Sequence, residues 1–338
     1  MALPATPPST PPCSSRQSSL TAQERAERVL KFIDAQDPPL RSSYSPLSRG
    51  SSEQDRLVTQ NYVLRTAFDD HDFQATSMQG PLDQGCVAIE IGCGPGTWSM
   101  EMSTAFPNSI FIGLDLDTSF PKFIKPQNCY FRACDITQWP LPLPDNSVDF
   151  IFHRDMNWTL LSMQWPHLVK EYLRILRPGG WVECMEMEIE SKSTRQHEQH
   201  LNDHVMHGLS LQGQDPAIAR KLPSMLALQG FRRVSSQFQS LPLGWGWAHH
   251  GRSSRHPSRR GKPTPPPTSP LKTDGCSEYA RAAAGQYRCL LESLRPWLAN
   301  ALSCTPEKYD MLLDRVQTEW VDAHSYINWH AVIAQKPL

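Results

Sequence analysis

The sequence predicts an α/β fold built on a doubly wound, mostly parallel sheet with helices on both faces. Three observations carry this expectation. Between residues 86 and 187, short apolar runs alternate with helical stretches, the pattern of successive βαβ units. The runs show little polar alternation, as strands buried on both faces do. The first run ends in a turn holding Gly92, Gly94 and Gly96, and a helix opens behind it.

Taken in order, residues 21–36 (TAQERAERVLKFIDAQ) predict a short amphipathic helix with Thr21 as N-cap. Residues 53–68 place Leu57, Val58, Tyr62, Val63 and Ala67 at helical spacing and lead into the core. Strands follow at CVAIEI (86–91), IFIGLD (110–115), CYFRAC (129–134), VDFIFH (148–153) and WVECMEM (181–187), with helices at 97–106 and 165–176. RPGG stops the second of these helices. Residues 215–230 read as a helix with Gly230 past its end, and FRRVSSQFQ (231–239) as a strand. Helical periodicity resumes at Ser277, a last helix has Thr305 as N-cap and Pro306 at its first position, and 325–337 closes as a strand.

Proline sets the expected domain limits. Of 30 prolines, eight fall in residues 1–50 and six between Pro257 and Pro270. The expected organisation is a disordered Pro/Ser-rich tail over 1–52 and one folded domain over 53–338. A low-complexity basic insert interrupts that domain at about 249–275. The insert carries six Lys/Arg without interleaved aromatics, which reads as a solvated loop rather than a nucleic-acid surface. The net charge of −1 excludes a strongly basic nucleic-acid binder and a strongly acidic disordered chain. No apolar run is long enough to span a membrane, and the N-terminus lacks the charged and apolar regions of a secretory signal. Nine cysteines without a C-x-x-C pair, with Cys93, Cys129, Cys134 and Cys184 in or beside strands, point to reduced core residues. The expected location is cytoplasmic, with a nuclear one left open.

The glycine turn carries the chemistry. Glycine lets backbone approach a ligand closely. Asp115 ends the second strand, 23 residues after Gly92, where a carboxylate accepts hydrogen bonds from the ribose hydroxyls of a nucleoside. Together these predict a nucleoside-containing cofactor. A dinucleotide fingerprint wants Gly or Ala at position 97, which is Thr97, and Pro95 removes a backbone donor from the turn. The G-K-[ST] of a P-loop is absent. His153-Arg154-Asp155 is not a kinase loop, because position 160 is Leu160 rather than Asn.

The strand before the turn carries Glu90, and E-x-G-x-G-x-G resembles motif I of the class I S-adenosylmethionine (SAM) methyltransferases. Further family motifs match in order at Gly113-Leu-Asp115, Cys134-Asp135-Ile136, Leu143 to Phe150 and Leu176-Arg-Pro-Gly-Gly180, so the resemblance covers about 86–187. The surroundings, including LPLGW at 241–245, look like fungal SAM-dependent methyltransferases of unassigned substrate. The resemblance implies a seven-stranded sheet whose last strand, at 326–336, is antiparallel. It implies SAM as cofactor, with Glu90, Gly92, Gly94 and Gly96 beside its methionine part and Asp115 on the ribose. Asp135 would bond the adenine amino group, with Ile136 against the ring, and His153 would lie near the sulfonium and the acceptor. HRDMNW stands where an Asn-Pro-Pro-Tyr-like signature of adenine or glutamine-amide methylation would be. A small-molecule hydroxyl, carboxyl or amine acceptor is therefore expected, with a protein group as the alternative and no nucleic-acid or membrane partner. The rival functions are an NAD(P)-dependent oxidoreductase on a similar sheet and a non-catalytic SAM-binding regulator.

Methyl transfer from a sulfonium asks the protein for alignment, a dry site and, for a protonated acceptor, a base. His153 and Asp155 are the candidates for that base. His197, His200, His204 and His207 share a helical face by their 3, 4, 3 spacing. They read as a polar face rather than a metal site, so no metal is expected. Trp158, Trp245 and Trp247 are candidates for an acceptor pocket or for core, and Tyr62 and Arg65 for covering the cofactor or for surface packing.

Overall fold

The computed structural model describes residues 20–36, 46–47, 50–246 and 276–338. The expected insert at 249–275, Trp247 and residues 1–19 of the expected tail lie outside the described residues. Among the described residues, seven strands form one sheet: β1 (Val87–Ile91), β2 (Ile110–Asp115), β3 (Cys129–Ala133), β4 (Val148–Arg154), β5 (Leu176–Met187), β6 (Arg232–Pro242) and β7 (Tyr326–Gln335). Their order is β3-β2-β1-β4-β5-β7-β6. Strand pairs are parallel except at β7, which runs antiparallel to both β5 and β6. The chain leaves β1 towards β2 and β3 on one side and returns to β4 on the other. That reversal opens a crevice outside the carboxyl ends of β1 and β4.

Both faces of the sheet are covered. Helices α1 (Ala22–Asp34), α5 (Gln164–Ile175) and α7 (Ile218–Leu228) pack over Ile89, Ile91, Ile151 and Val182. The opposite face holds α2 (Ser51–Ala67), α3 (Gln79–Gln84), α4 (Thr97–Ala105), α6 (Gln196–Leu211), α8 (Glu278–Ser293), α9 (Arg295–Ala301) and α10 (Pro306–Ala323), packed with Trp98, Phe111, Phe150 and Phe152. Trp98 stacks on Phe152 with centroids 4.1 Å apart. No helix among the described residues is long and apolar enough to cross a membrane.

The span expected to be a tail is folded in part. Thr21 and Glu24 form a capping box, with Thr21 N donating to Glu24 Oε2 at 2.8 Å and Glu24 N donating to Thr21 Oγ1 at 3.2 Å. Ala26, Val29, Leu30 and Ile33 are buried against the sheet, and Arg25 pairs with Asp149 at 2.5 Å. An apolar stripe at i, i+3, i+4 and i+7 buries enough surface to hold a short helix. Averaged over 52 residues, the Pro/Ser content hides this one amphipathic unit. The folded body therefore begins well before residue 53.

Candidate functional site

Gly92, Gly94 and Gly96 have φ of +68°, +49° and +76°, the left-handed region that glycine enters without strain. There is also no room for side chains. A Cβ on Gly92 would lie 2.3 Å from Met156 Sδ, and one on Gly96 2.4 Å from the Phe131 ring. The turn is tied to β2: Gly92 N and Cys93 N donate to Leu114 O at 2.8 and 3.1 Å. Asp115 completes the tie, its Oδ2 accepting from Gly94 N and its Oδ1 from Asp117 N, both at 2.8 Å. A carboxylate offers about four acceptor positions, so two stay open. Burial pushes the Asp115 carboxyl above its ordinary range, and the N–H groups of Gly94 and Asp117 oppose this.

A cavity lies where the sheet topology opens the crevice. Gly92, Gly94 and Asp115 form its floor, Asp135, Ile136 and Thr137 one end, and Arg154, Asp155 and Met156 the other. Glu53, Arg56 and Leu57 of α2 roof it. A narrower recess continues under Gln60 to Glu90, Pro95 and Thr97, and shares Arg154 and Asp155 with the main space. Asp135 Oδ1 accepts from Thr137 N at 2.9 Å and Thr137 Oγ1 at 2.6 Å, which stiffens that end.

Glu90 reaches the recess but not the main cavity. Its Oε2 accepts from Ser99 N at 3.1 Å and Ser99 Oγ at 2.6 Å, bracing the first turn of α4. Burial pushes its carboxyl up to about 7. A raised carboxyl holds more protons folded than unfolded, so it lowers stability as pH climbs from the ordinary value of 4.5 to about 7. Glu90→Gln keeps an acceptor for Ser99 and loses the charge. Relative to the parent, E90Q should gain up to about 3 kcal/mol between pH 5 and pH 8 in urea unfolding; parallel pH profiles would refute this.

His153 is not where the resemblance implies. Ile91 pairs with His153 and Glu90 with Phe152 across β1 and β4. Side chains alternate along a strand, so His153 faces α1 and α5 while Phe152 and Arg154 face the cavity side. His153 is fully buried, with Nδ1 2.8 Å from Tyr172 Oη and Nε2 3.3 Å from Glu186 Oε1. Glu186 in turn accepts from Met156 N at 2.9 Å and Asn157 N at 3.1 Å. His153 thus braces the turn after β4 from behind. His153→Ala should cost about 1–3 kcal/mol of stability while changing affinity for adenosine ligands by less than about threefold. A large affinity loss at unchanged stability would contradict this placement.

Asp155 does reach the cavity. It adopts φ +61°, and its Oδ2 accepts from Gln60 Nε2 at 2.8 Å with Arg56 Nη2 3.5 Å away. Arg56 is buried and bidentate on Glu53, at 2.7 to 3.0 Å. Glu53, Arg56 and Gln60 are roof residues that sequence reasoning missed. Their i, i+3, i+7 polar spacing was the signal for them. Tyr62 and Arg65 instead lie on another side of α2, where Tyr62 donates to Glu101 at 3.1 Å and Arg65 pairs with Asp72 at 3.6 Å. Trp158 is core, and Trp245 donates to Ser325 O; neither lines the cavity. His197 bonds Glu319 at 2.7 Å, His204 Nδ1 lies 2.8 Å from His200 O, and no metal-ligating cluster occurs among the described residues.

The residues present fit a nucleoside sulfonium. Asp115 has open acceptor positions, Ile136 supplies an apolar wall beside Asp135, and the glycines leave the floor bare. Asp155 Oδ1 and Arg56 Nη1 are buried without a partner, as polar groups facing a ligand site are.

Comparison with known proteins agrees with this geometry. The model of a family described as "Methyltransferase domain" matches residues 88–180. The secondary metabolism regulator laeA of Aspergillus niger is 30% identical over 166 residues, covering 49% of this chain and 40% of the relative. The methyltransferase pytC of Aspergillus terreus is 27% identical over 308 residues, covering 86% of this chain and 83% of that one. The protein-methionine methyltransferase laeA of Emericella nidulans is 33% identical over 104 residues, covering 31% of this chain and 27% of the relative. The chain thus spans less than half the length of the two laeA relatives. A Haemonchus contortus phosphoethanolamine N-methyltransferase solved with SAM superposes at a TM-score of 0.43 and 15% identity, over 78% of this chain and 51% of that one, too loosely to bear on function. Residues 88–180 thus match a methyltransferase domain, and the ordered motifs and the strand order agree with the S-adenosylmethionine-dependent kind.

Proposed function

We propose that the protein transfers the methyl group of SAM to a small-molecule acceptor that enters the cavity beneath α2. One observation supports this reading most: a single roofed space runs from Asp135 and Ile136, past Asp115 and the glycine turn, to Asp155. When bound, SAM supplies a methyl group activated by its sulfonium. Asp115 and Asp135 hold the nucleoside. Leu57 and Met156 keep water from the reacting end, which strengthens electrostatic contacts there. Asp155 Oδ1, buried without a partner, takes the proton of an acceptor hydroxyl or ammonium. The free cysteines Cys86, Cys93, Cys129, Cys134 and Cys184 suit a reducing compartment, and we place the protein in the cytoplasm.

A protein acceptor is the second reading, favoured by the name of the Emericella nidulans relative. Labelled SAM, purified protein and host extract separate the two. Label in the small-molecule fraction is the expected result, and label confined to protein would favour the second reading. SAM binding by calorimetry without any labelled product would point to a regulator. NADH binding without SAM binding would overturn the methyltransferase reading.

A further inference from the structure

Arg154 ends β4 on the cavity side of the sheet and edges three adjoining hollows. These are the main cavity, the recess at the glycine turn and a small pocket beside Trp98 and Asp72. Arg56 and Arg154 both line the main cavity, and they are partnered differently. Arg56 is neutralised by Glu53 in bidentate contact and by Asp155. Among the described residues, Arg154 makes one side-chain hydrogen bond, from Nη2 to the neutral amide oxygen of Asn61 at 2.9 Å. No carboxylate among them comes within 4.0 Å of it, and its guanidinium lies over the Phe152 ring at 5.6 Å.

The nearby carboxyls are engaged elsewhere. Glu90 is turned to Ser99, and Glu183 accepts from Gln74 N at 2.7 Å and Ala75 N at 3.0 Å. Burial pulls the Arg154 guanidinium below its ordinary pKa, and Glu90, Asp155, Asp72 and Glu183 offset this at longer range. A guanidinium stays charged in a protein, and a buried charge without a contacting counter-charge is costly. Such a group is suited to an anion that arrives with the ligand.

We infer that Arg154 anchors the carboxylate at the amino-acid end of bound SAM, in the recess between the glycine turn and α2. The inference rests on the SAM reading above. The carboxylate is the one anionic group of that molecule. Asp115 and Asp135 line the nucleoside part of the cavity; Glu90 and Asp155 edge the recess, but Glu90 already accepts from Ser99 and Asp155 faces Gln60 and Arg56, which leaves Arg154 as the charge there without a contacting counter-charge. A guanidinium takes a carboxylate through two parallel N–H···O bonds, and the Nε and Nη1 of Arg154 make no side-chain bond among the described residues. Asn61 holds the third nitrogen and so fixes the plane of the fork. Arg154 would set how far the donor slides along the cavity, and with it where the methyl group meets the acceptor.

The test compares S-adenosylhomocysteine with 5′-methylthioadenosine, which keeps the nucleoside and thioether but lacks the amino-acid end. Both are titrated calorimetrically into the full chain. Arg154→Met should weaken S-adenosylhomocysteine about 10- to 100-fold and change 5′-methylthioadenosine by less than about threefold. Retained 5′-methylthioadenosine binding also reports that the variant site is folded. Arg154→Lys should recover part of the loss, since it keeps the charge without the fork; if R154M fails to unfold cooperatively, R154K against the parent decides by the same contrast. Unchanged S-adenosylhomocysteine affinity, the outcome if Arg154 serves an anionic acceptor instead, overturns the assignment. Equal loss for both ligands overturns it too. Failure of the parent protein to bind S-adenosylhomocysteine would overturn the SAM reading itself.

Discussion

Asp115→Ala should weaken SAM binding by about 100-fold. Two losses combine. The carboxylate no longer offers its open acceptor positions to the ribose, and hydrogen bonds to a charged group contribute about 1.5–3 kcal/mol each. The turn also loses its tie to β2, because Gly94 N and Asp117 N both donate to this side chain at 2.8 Å. Asp115→Asn should be nearly as weak. Its amide must point a donor at one of those two N–H groups, so the turn cannot be held on both sides. Calorimetry with SAM measures both variants. Affinity unchanged by D115A would move the cofactor site elsewhere.

Gly96→Val should be the most destabilising single change at the turn, at about 2–5 kcal/mol. Gly96 sits at φ +76°, where a β-branched residue is strained. Its Cβ would also meet the Phe131 ring at 2.4 Å. That ring has little freedom to retreat, since it stacks on Phe120 with centroids 5.2 Å apart and packs with Cys93 and Cys129. Gly80→Ala is the control. Gly80 lies in α3, a Cβ there would meet nothing within 4 Å, and its φ is not positive. Alanine should therefore leave stability unchanged or raise it by up to about 1 kcal/mol. Urea unfolding compares the two. A G96V protein as stable as G80A would mean that the turn gives way without cost.

The elements most legible in the sequence were those whose signal is local. β1 and β2 are largely apolar runs, interrupted by Glu90 and Gly113 and ending at Asp115 in β2, because helices cover both faces of a parallel sheet. Thr21 and Thr305 mark helix starts because their side chains accept the orphan N–H groups of Glu24 and Lys308. Composition averages misled where a local signal was short, as with α1 inside a Pro/Ser-rich stretch. Helix α2 misled differently. Its Tyr62 and Arg65 look suited to a ligand and lie outside the cavity, whereas Glu53, Arg56 and Gln60 look like a solvent face and form the roof. They are buried because Arg56 and Gln60 meet Asp155, 99 and 95 residues away in the chain.

Local sequence determined the strand–helix alternation, the bare glycine turn and the carboxylates at strand ends, because propensity, periodicity and steric permission act over a few residues. The assignment of His153 and Arg154 to opposite faces was decided only in the tertiary structure. The two are neighbours in the chain, and both stand at the end of β4. Register is set by pairing across strands distant in the chain, and a shift of one residue exchanges the two faces. With Ile91 opposite His153, the histidine is enclosed behind the sheet and the arginine is presented to the cavity.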